Sequence, residues 1–171
     1  MKVILYMATT INGFIAKEND DTGFVSEVEW DNFRKMIKSA GNMIIGNRTY
    51  EVMRDGGEFE NLGNVRVIIV SNNTDFKTIA DNHSVAKNPQ NALAILEKET
   101  FNQVLVAGGG TLNASFMAEN LIDEIYLDVE PIVFGKGIRL FAENDFETKL
   151  KLLEIKKLSE NEIQLHYQVL K

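Results

Sequence analysis

The chain has 171 residues, a net charge of −7 and no cysteine, and 44% of its residues are hydrophobic. The acidic charge argues against general binding to nucleic acids or anionic membranes, which both need basic surface, and the absence of cysteine excludes disulfides, thiolate metal ligands and cysteine nucleophiles. Since no signal peptide or membrane-spanning apolar run is visible, we expect a single domain over residues 1–171, located in the cytoplasm.

Short apolar runs alternate with amphipathic stretches, which is typical of an α/β sheet domain. The last two apolar runs are joined by a polar turn and predict a hairpin, so a mostly parallel sheet would carry an antiparallel edge. In chain order, the predicted elements are a strand at 2–9, an extended piece at 14–16, a helix between 26 and 41, a strand at 42–45, a helix at 48–54, a strand at 65–70, a helix from 89, a strand at 103–107, a helix from 108–111 to about 120, and strands at 123–130, 149–158 and 162–170.

The clearest local signal is Gly108-Gly109-Gly110-Thr111, which directly follows a buried strand and opens a helix. Free N–H groups and the positive dipole end of a helix N-terminus attract phosphate, and glycines let a ligand approach the backbone closely. The alternative is a tight strand-to-helix turn that needs unusual φ angles. The spacing fits neither a Walker loop nor the Rossmann G-x-G-x-x-G pattern, which would need glycine where Asn113 stands.

Two further strand ends carry polar residues. Gly46, Arg48 and Thr49 follow one strand, and a guanidinium suits bidentate binding of phosphate, although an exposed arginine at a helix start is the alternative. Ser71 and Asn72 follow the next strand, where they could bond a ribose or phosphate or simply form a turn. Because ligands of open α/β sheets bind beyond the carboxyl ends of strands, the three ends together favour one binding site.

The late part of the chain offers candidates for substrate contacts. Asp128 and Glu130 are two residues apart and so lie on one face of their strand, where they would bind a polar substrate or serve the solubility of an edge strand. Lys136 and Arg139 would bind a ribityl or ribose phosphate, or belong to a surface loop. The two histidines are far apart in the chain, so each is expected to be structural, and no metal site is predicted.

Taken together, these motifs resemble the dihydrofolate reductase superfamily. The matching segments are residues 7–16, 46–51, 70–71 and 107–112. Residues 121–141, which include Gly135-Lys136-Gly137, resemble the C-terminal reductase domain of the bifunctional riboflavin deaminase-reductase RibD more than true dihydrofolate reductase. The His-Cys-Cys zinc set of the deaminase half is absent from the sequence.

The resemblance implies a three-layer fold, with an eight-stranded, mixed, mostly parallel sheet, helices on both faces and a C-terminal antiparallel hairpin. It also implies a cis bond between Gly108 and Gly109 and NADPH lying across the strand ends. By position, it would place Ala8, Asn12, Gly13 and Ile15 near the nicotinamide, Gly46, Arg48 and Thr49 near the pyrophosphate and the adenosine phosphate, Ser71 and Asn72 at the adenosine end, and Gly108, Gly109, Gly110, Thr111 and Leu112 around the pyrophosphate.

The same resemblance suggests a catalytic residue. Dihydrofolate reductases carry a buried carboxylate on the first helix that binds the pteridine, and Glu29 falls at that place, with Asp31 and Glu27 as neighbours if the register slips. The alternative is that Glu29, three residues after Ser26, completes a capping box on a solvated helix start. Asn47 stands where relatives often carry arginine, so one phosphate contact is expected to be missing.

We therefore predict an NADPH-dependent reductase of a pyrimidine or pteridine-type heterocycle, whose reaction resembles that of 5-amino-6-(5-phosphoribosylamino)uracil reductase in riboflavin biosynthesis. The alternatives are dihydrofolate reductase-type activity, a non-catalytic NADP-binding module, and an α/β domain without a dinucleotide site. A homodimer is expected from the resemblance and from the apolar late strands.

Overall fold

A computed structural model of the chain describes residues 1–73 and 75–171. Its main sheet has eight strands: β1 (Lys2–Thr10), β3 (Asn42–Gly46), β4 (Arg66–Val70), β5 (His83–Ala86), β6 (Gln103–Val106), β7 (Glu124–Glu130), β9 (Lys149–Lys157) and β10 (Ile163–Leu170). Two short strands, β2 (Phe14–Ala16) and β8 (Ile138–Arg139), form a separate antiparallel ribbon. The helices are α1 (Glu27–Ala40), α2 (Asn47–Asp55), α3 (Pro89–Lys98) and α4 (Gly110–Ala118), and a 3₁₀ turn covers Glu58–Asn61.

The strand order of the main sheet is β5-β4-β3-β6-β1-β7-β10-β9. The pairs from β5 to β7 are all parallel, whereas β10 runs antiparallel to both β7 and β9. This arrangement confirms the predicted mixed sheet, and it places the C-terminal hairpin at one edge.

Helices cover both faces of the sheet, which makes three layers. Along β1, successive side chains point to opposite faces. Val3 and Leu5 pack in one apolar cluster with residues of α3 and α4, whereas Ile4 and Tyr6 pack in the other with residues of α1 and α2. None of the helices in the described parts of the chain is long and apolar enough to cross a membrane.

The first helix has the predicted ends, and the structure separates the two interpretations of Glu29. Gly41 ends it with φ +71°, a left-handed conformation that suits glycine. The Ser26 hydroxyl accepts from the N–H of Glu29 at 3.1 Å, but the N–H of Ser26 donates to Oε1 of Glu130 at 2.9 Å. The capping box is therefore only half formed, and the interpretation of Glu29 as a solvated residue is wrong, because only 4% of it is exposed.

The edge-strand interpretation of Asp128 and Glu130 is also wrong. Their strand, β7, lies inside the sheet between β1 and β10, and both residues are buried. The structure adds two strands and a turn that were not predicted: β5, β8 and the 3₁₀ turn. Each is four residues or shorter, so none carries enough periodicity to be recognised.

Candidate functional site

At the carboxyl ends of β3 and β6, the chain turns toward opposite faces of the sheet. These strands are neighbours, and the N–H of Gly46 donates to the carbonyl oxygen of Gly108 at 2.8 Å. After β3 the chain enters α2 on one face of the sheet, and after β6 it enters α4 on the other. Such a divergence opens a crevice beyond the strand ends, which is where open α/β sheets bind ligands.

The helices at this crevice differ from the other two in their N-caps. Ser26 caps α1 and Asn88 caps α3, each with a side-chain oxygen that accepts a backbone N–H. Glycines stand at the N-caps of α2 and α4, Gly46 and Gly109, and neither supplies a side-chain hydrogen bond. The first N–H groups of a helix have no partner within the helix. Two N-termini therefore present amide donors to the crevice, a favourable arrangement for anionic oxygens.

A cavity of about 480 Å³ occupies the crevice. It is lined by Met7, Ile15, Ala16, Asp20, Thr22, Gly46, Asn47, Arg48, Thr49, Val52, Ala107, Gly109, Gly110, Thr111, Leu112, Ile138, Arg139 and Ala142. The backbone of Gly109 and Gly110 forms part of its wall. A Cβ on Gly109 would lie 3.3 Å from Oγ1 of Thr49, so the glycine also keeps the two helix starts close together.

Two arginines reach this larger cavity. Arg48 comes from the first turn of α2, and its Nε and Nη2 lie 2.7 and 2.6 Å from Oδ2 of Asp20. Its side chain is 64% exposed, so the guanidinium lies at the mouth. Arg139, on β8, lies over the ring of Phe14 with its Cζ 5.9 Å from the ring centroid, a cation–π geometry.

A smaller cavity of about 200 Å³ adjoins the larger one. Residues that line both are Met7, Ile15, Thr22, Thr49, Val52 and Ala107. Beyond them, Tyr6, Trp30 and Phe33 form an aromatic wall, and neighbouring rings lie 5.6–5.7 Å apart. Aromatic side chains of this kind can pack against a planar ring. The two cavities together form one site, with a polar end at the helix N-termini and an apolar end at the aromatic residues.

Glu29 is the acidic group in the apolar end that is most withdrawn from water. Burial raises its pKa to about 9, and the nearby charges of Asp128 and Glu130 act in the same direction, against a smaller opposite effect of Arg34. At neutral pH this carboxyl group is therefore protonated and has an O–H to donate.

Asp128 lies behind the aromatic wall. The hydroxyl of Tyr6 donates to its Oδ2 at 2.5 Å, and Nε2 of Gln164 donates to its Oδ1 at 2.7 Å. Burial raises the pKa of Asp128, while these two hydrogen bonds oppose the rise. Both carboxylate oxygens are thus occupied within the protein, and the residue supports Tyr6 without lining either cavity.

The structure brings together most of the residues singled out in the sequence. Those that line one cavity or both are Ala8, Ile15, Glu29, Gly46, Arg48, Thr49, Gly109, Gly110, Thr111, Leu112 and Arg139. Those that line neither are Asn12, Gly13, Ser71, Asn72, Gly108, Asp128 and Lys136.

The residues outside the cavities have other contacts. The side chain of Asn12 donates to the carbonyl oxygen of Phe134 at 2.6 Å, which ties the first turn to the loop after β7. The Ser71 hydroxyl accepts from the N–H of Asn73 at 3.1 Å, as in a turn. The bond between Gly108 and Gly109 is cis, and Lys136 lies in an exposed loop.

Several lining residues were not anticipated from the sequence. Asp20 and Thr22 come from the polar loop between β2 and α1, which gave no motif, although its position after the first turn is a usable signal. Trp30 and Phe33 fall at helical spacing within α1, which predicts a core-facing side of the helix, and both also line the smaller cavity. A helical pattern alone does not distinguish a core face from a cavity wall.

The histidines have structural contacts. Nδ1 of His83 lies 2.9 Å from the hydroxyl of Tyr50, and burial lowers the pKa of His83. His166 stacks on Tyr126 with ring centroids 3.9 Å apart, and its Nε2 lies 3.0 Å from Oε2 of Glu124. Across residues 1–73 and 75–171, no cluster of three or more acidic or histidine side chains is arranged to hold a metal ion.

Comparison with known proteins gives one matching family model, the RibD C-terminal domain, over residues 1–164. The uncharacterized protein YwjB of Bacillus subtilis is 30% identical over 97% of both chains. A putative riboflavin biosynthesis protein from Shewanella sp. PV-4 superposes with a TM-score of 0.84 at 20% identity over the full length of both chains. Dihydrofolate reductase from Enterococcus faecalis, solved with NADP(H), superposes with a TM-score of 0.75 at 18% identity over 99% of this chain and 97% of that one. The fold is therefore dihydrofolate reductase-like.

Proposed function

The chain belongs to the RibD C-terminal domain family, and from this premise we propose that it is a single-domain, cytoplasmic, NADPH-dependent reductase of a pyrimidine or pteridine-type heterocycle. Its reaction would resemble that of 5-amino-6-(5-phosphoribosylamino)uracil reductase. Family membership supports the reductase chemistry, whereas the cofactor and the substrate class rest on the site.

The observation that carries the proposal is the pair of uncapped helix N-termini at one cavity. Gly46 and Gly109 leave the first amides of α2 and α4 open to a shared space of about 480 Å³. A dinucleotide carries two linked phosphates, so two sets of amide donors fit it. Arg48 at the mouth suits a further phosphate on the adenosine side. The residues present therefore fit NADPH.

The apolar end suits the substrate ring. When bound, the reduced nicotinamide supplies a hydride. Tyr6, Trp30 and Phe33 would orient a planar heterocycle and keep water away from it. Glu29, protonated at neutral pH, would hold a proton at its carboxyl oxygen and donate it to a ring nitrogen or an exocyclic group of the substrate.

Titration with NADPH and NADH in a thermal-shift assay tests the cofactor proposal. Ligand at about 100 times its dissociation constant should stabilise the fold by about 2.7 kcal/mol. Arg48→Ala should raise the dissociation constant of NADPH about fivefold and that of NADH less, because one charge-assisted contact to the extra phosphate is lost. The matched control is Arg34→Ala, which removes a similar arginine paired to Asp31 on α1.

Three results would count against this assignment. If neither NADPH nor NADH shifts the melting temperature, the proposed dinucleotide site is contradicted. If Arg48→Ala weakens the binding of NADPH and NADH equally, Arg48 does not bind the extra phosphate of NADPH. Binding without turnover of any pyrimidine or pteridine substrate favours a non-catalytic NADP-binding module.

Dihydrofolate reductase-type activity is the second candidate, and the buried acid Glu29 on the first helix favours it. Consumption of NADPH with dihydrofolate, compared with consumption with the phosphoribosylamino-uracil, separates the two activities. We expect the higher kcat/KM for the pyrimidine, because the chain matches the RibD C-terminal domain model.

We also propose that the protein is a homodimer through the face of β9. Every residue of this edge strand is exposed, including Leu152 at 47% and Ile155 at 59%. Leu152 pairs with Tyr167 and Ile155 with Leu165, so both lie on one face, with a bulge between them. An exposed apolar edge of this kind is normally covered.

Leu152→Glu should convert such a dimer to monomers, because it places a charge in the buried interface. The molar mass measured by light scattering would then fall from about twice the chain mass to the 19.3 kDa of one chain. Lys151→Glu, on the opposite face of the same strand, is the control and should leave the dimer intact. A wild-type protein that already has the mass of one chain contradicts the proposal.

A further inference from the structure

The mouth of the larger cavity holds an ion pair that ordinary phosphate binding does not require. Arg48 donates from both Nε and Nη2 to a single oxygen of Asp20, at 2.7 and 2.6 Å. Both residues line the cavity. Among the described residues that form its wall, Asp20 is the only acidic one. The cation best placed for an adenosine phosphate is therefore already paired with an anion of the protein.

The loop that carries Asp20 holds it in this position. Asp20 has φ +67°, and its N–H donates to the carbonyl oxygen of Lys17 at 3.1 Å. The N–H of Lys17 donates to the carbonyl oxygen of Asp21 at 3.0 Å, and the side chains of Lys17 and Asp21 form a second ion pair at 2.6 Å. The loop is thus closed by its own contacts, and Asp20 projects from it toward α2.

We propose that Asp20 is a specificity-determining residue of the cofactor site, which occupies Arg48 as an internal anion and so lowers the preference for NADPH over NADH. This inference rests on the proposed function. A phosphate on the adenosine ribose would have to displace Asp20 or share one guanidinium with it, and like charges around a single cation repel. A cofactor without that phosphate meets no such competition.

The consequence is a selectivity that one residue controls. Replacing Asp20 by asparagine keeps an oxygen that accepts a hydrogen bond from Arg48, so the loop can stay in place, but it removes the competing charge. We expect Asp20→Asn to lower the dissociation constant of NADPH about five- to tenfold, the scale of one like-charge contact near the surface. The dissociation constant of NADH should change less than about twofold.

Isothermal titration calorimetry of NADPH and NADH on the full chain measures these constants without any need for turnover. The variants are the wild type, Asp20→Asn, Arg48→Ala and the double variant. In the Asp20→Asn background, Arg48→Ala should weaken NADPH more than it does in the wild type, because the arginine is then free to serve the phosphate. Asp31→Asn is the matched control, since it breaks an exposed pair with Arg34 on α1 and neither residue lines either cavity.

The outcomes separate the two proposals. If both cofactors bind and Asp20→Asn weakens them equally, Asp20 only anchors the loop and the inference is overturned. An unchanged ratio of the two dissociation constants also overturns it. If neither cofactor binds any variant, the proposed function itself fails, and the inference that rests on it fails too.

Discussion

Replacing Gly110 by alanine is expected to destabilise the fold by about 2–3 kcal/mol, the cost of overpacking a rigid contact. A Cβ at this position would lie 2.3 Å from the carbonyl oxygen of Arg139 and 3.5 Å from the N–H nitrogen of Ala142. Both are backbone atoms, so no flexible side chain can move aside. Alanine is favoured over glycine in a helix by about 1 kcal/mol at most, which does not offset the clash.

The clash falls where the chain after β8 crosses the start of α4. The N–H of Ala142 donates to the carbonyl oxygen of Gly110 at 3.0 Å, and Nδ2 of Asn113 donates to the carbonyl oxygen of Leu140 at 2.8 Å. A displaced crossing would therefore disturb one wall of the larger cavity as well as the fold. Urea unfolding measures the first effect, and the dissociation constant of NADPH measures the second.

Gly135→Ala is the matched control for this experiment. Gly135 has no heavy atom within 4 Å of an added Cβ, and its φ lies outside the left-handed range. Its replacement should change the free energy of unfolding by less than about 0.5 kcal/mol. Equal stability of the two alanine variants would show that the close approach at Gly110 is wrong.

The glycine bend was predictable from sequence because its cause is local. Three consecutive glycines between a buried strand and a helix leave few alternatives to a close backbone approach, and the structure has the bend at the larger cavity. Both ends of α1 and the start of α3 were predictable for the same reason, since Ser26, Gly41 and Pro89 act on their own helix termini.

The environment of Glu29 was not predictable in this way. The spacing from Ser26 indicates a capping box, but the N–H of Ser26 is taken by Glu130, which is 104 positions away in the chain. That contact depends on β7 lying between β1 and β10, and such long-range pairing leaves no trace in a local pattern. The pairing of Arg48 with Asp20 was not predictable for the same reason, because 28 positions separate the two residues in the chain.

Glu29→Gln is expected to lower kcat about 100-fold or more while stabilising the fold at pH 8. General acids typically contribute about 10²- to 10⁴-fold to the rate, and glutamine keeps the size and a hydrogen-bond donor but has no transferable proton. The measurement is consumption of NADPH with the substrate that the wild type reduces best. Glu27→Gln is the control, since Glu27 lies two residues earlier on α1 with a side chain 95% exposed.

The stability effect follows from the raised pKa of Glu29, about 9 in the folded protein against an ordinary value of 4.5. Between these two pH values the unfolded chain releases the proton and the folded protein keeps it. Folding stability therefore falls as the pH rises from about 4.5 to 9, and it levels off above that range. Glutamine does not titrate, so the variant should gain about 2 kcal/mol or more over the wild type at pH 8 and little at pH 4.5.

The two halves of this prediction check each other. Loss of rate together with a gain in stability that grows with pH identifies a buried acid kept for function at a cost in stability, as at other active sites. Loss of rate together with loss of stability at every pH would mean that Glu29 has a packing role only. The wild-type rate itself should decline as the pH passes about 9, because the acid then ionises. A rate that is flat through that range would remove Glu29 as the proton donor, even if the cofactor site stands.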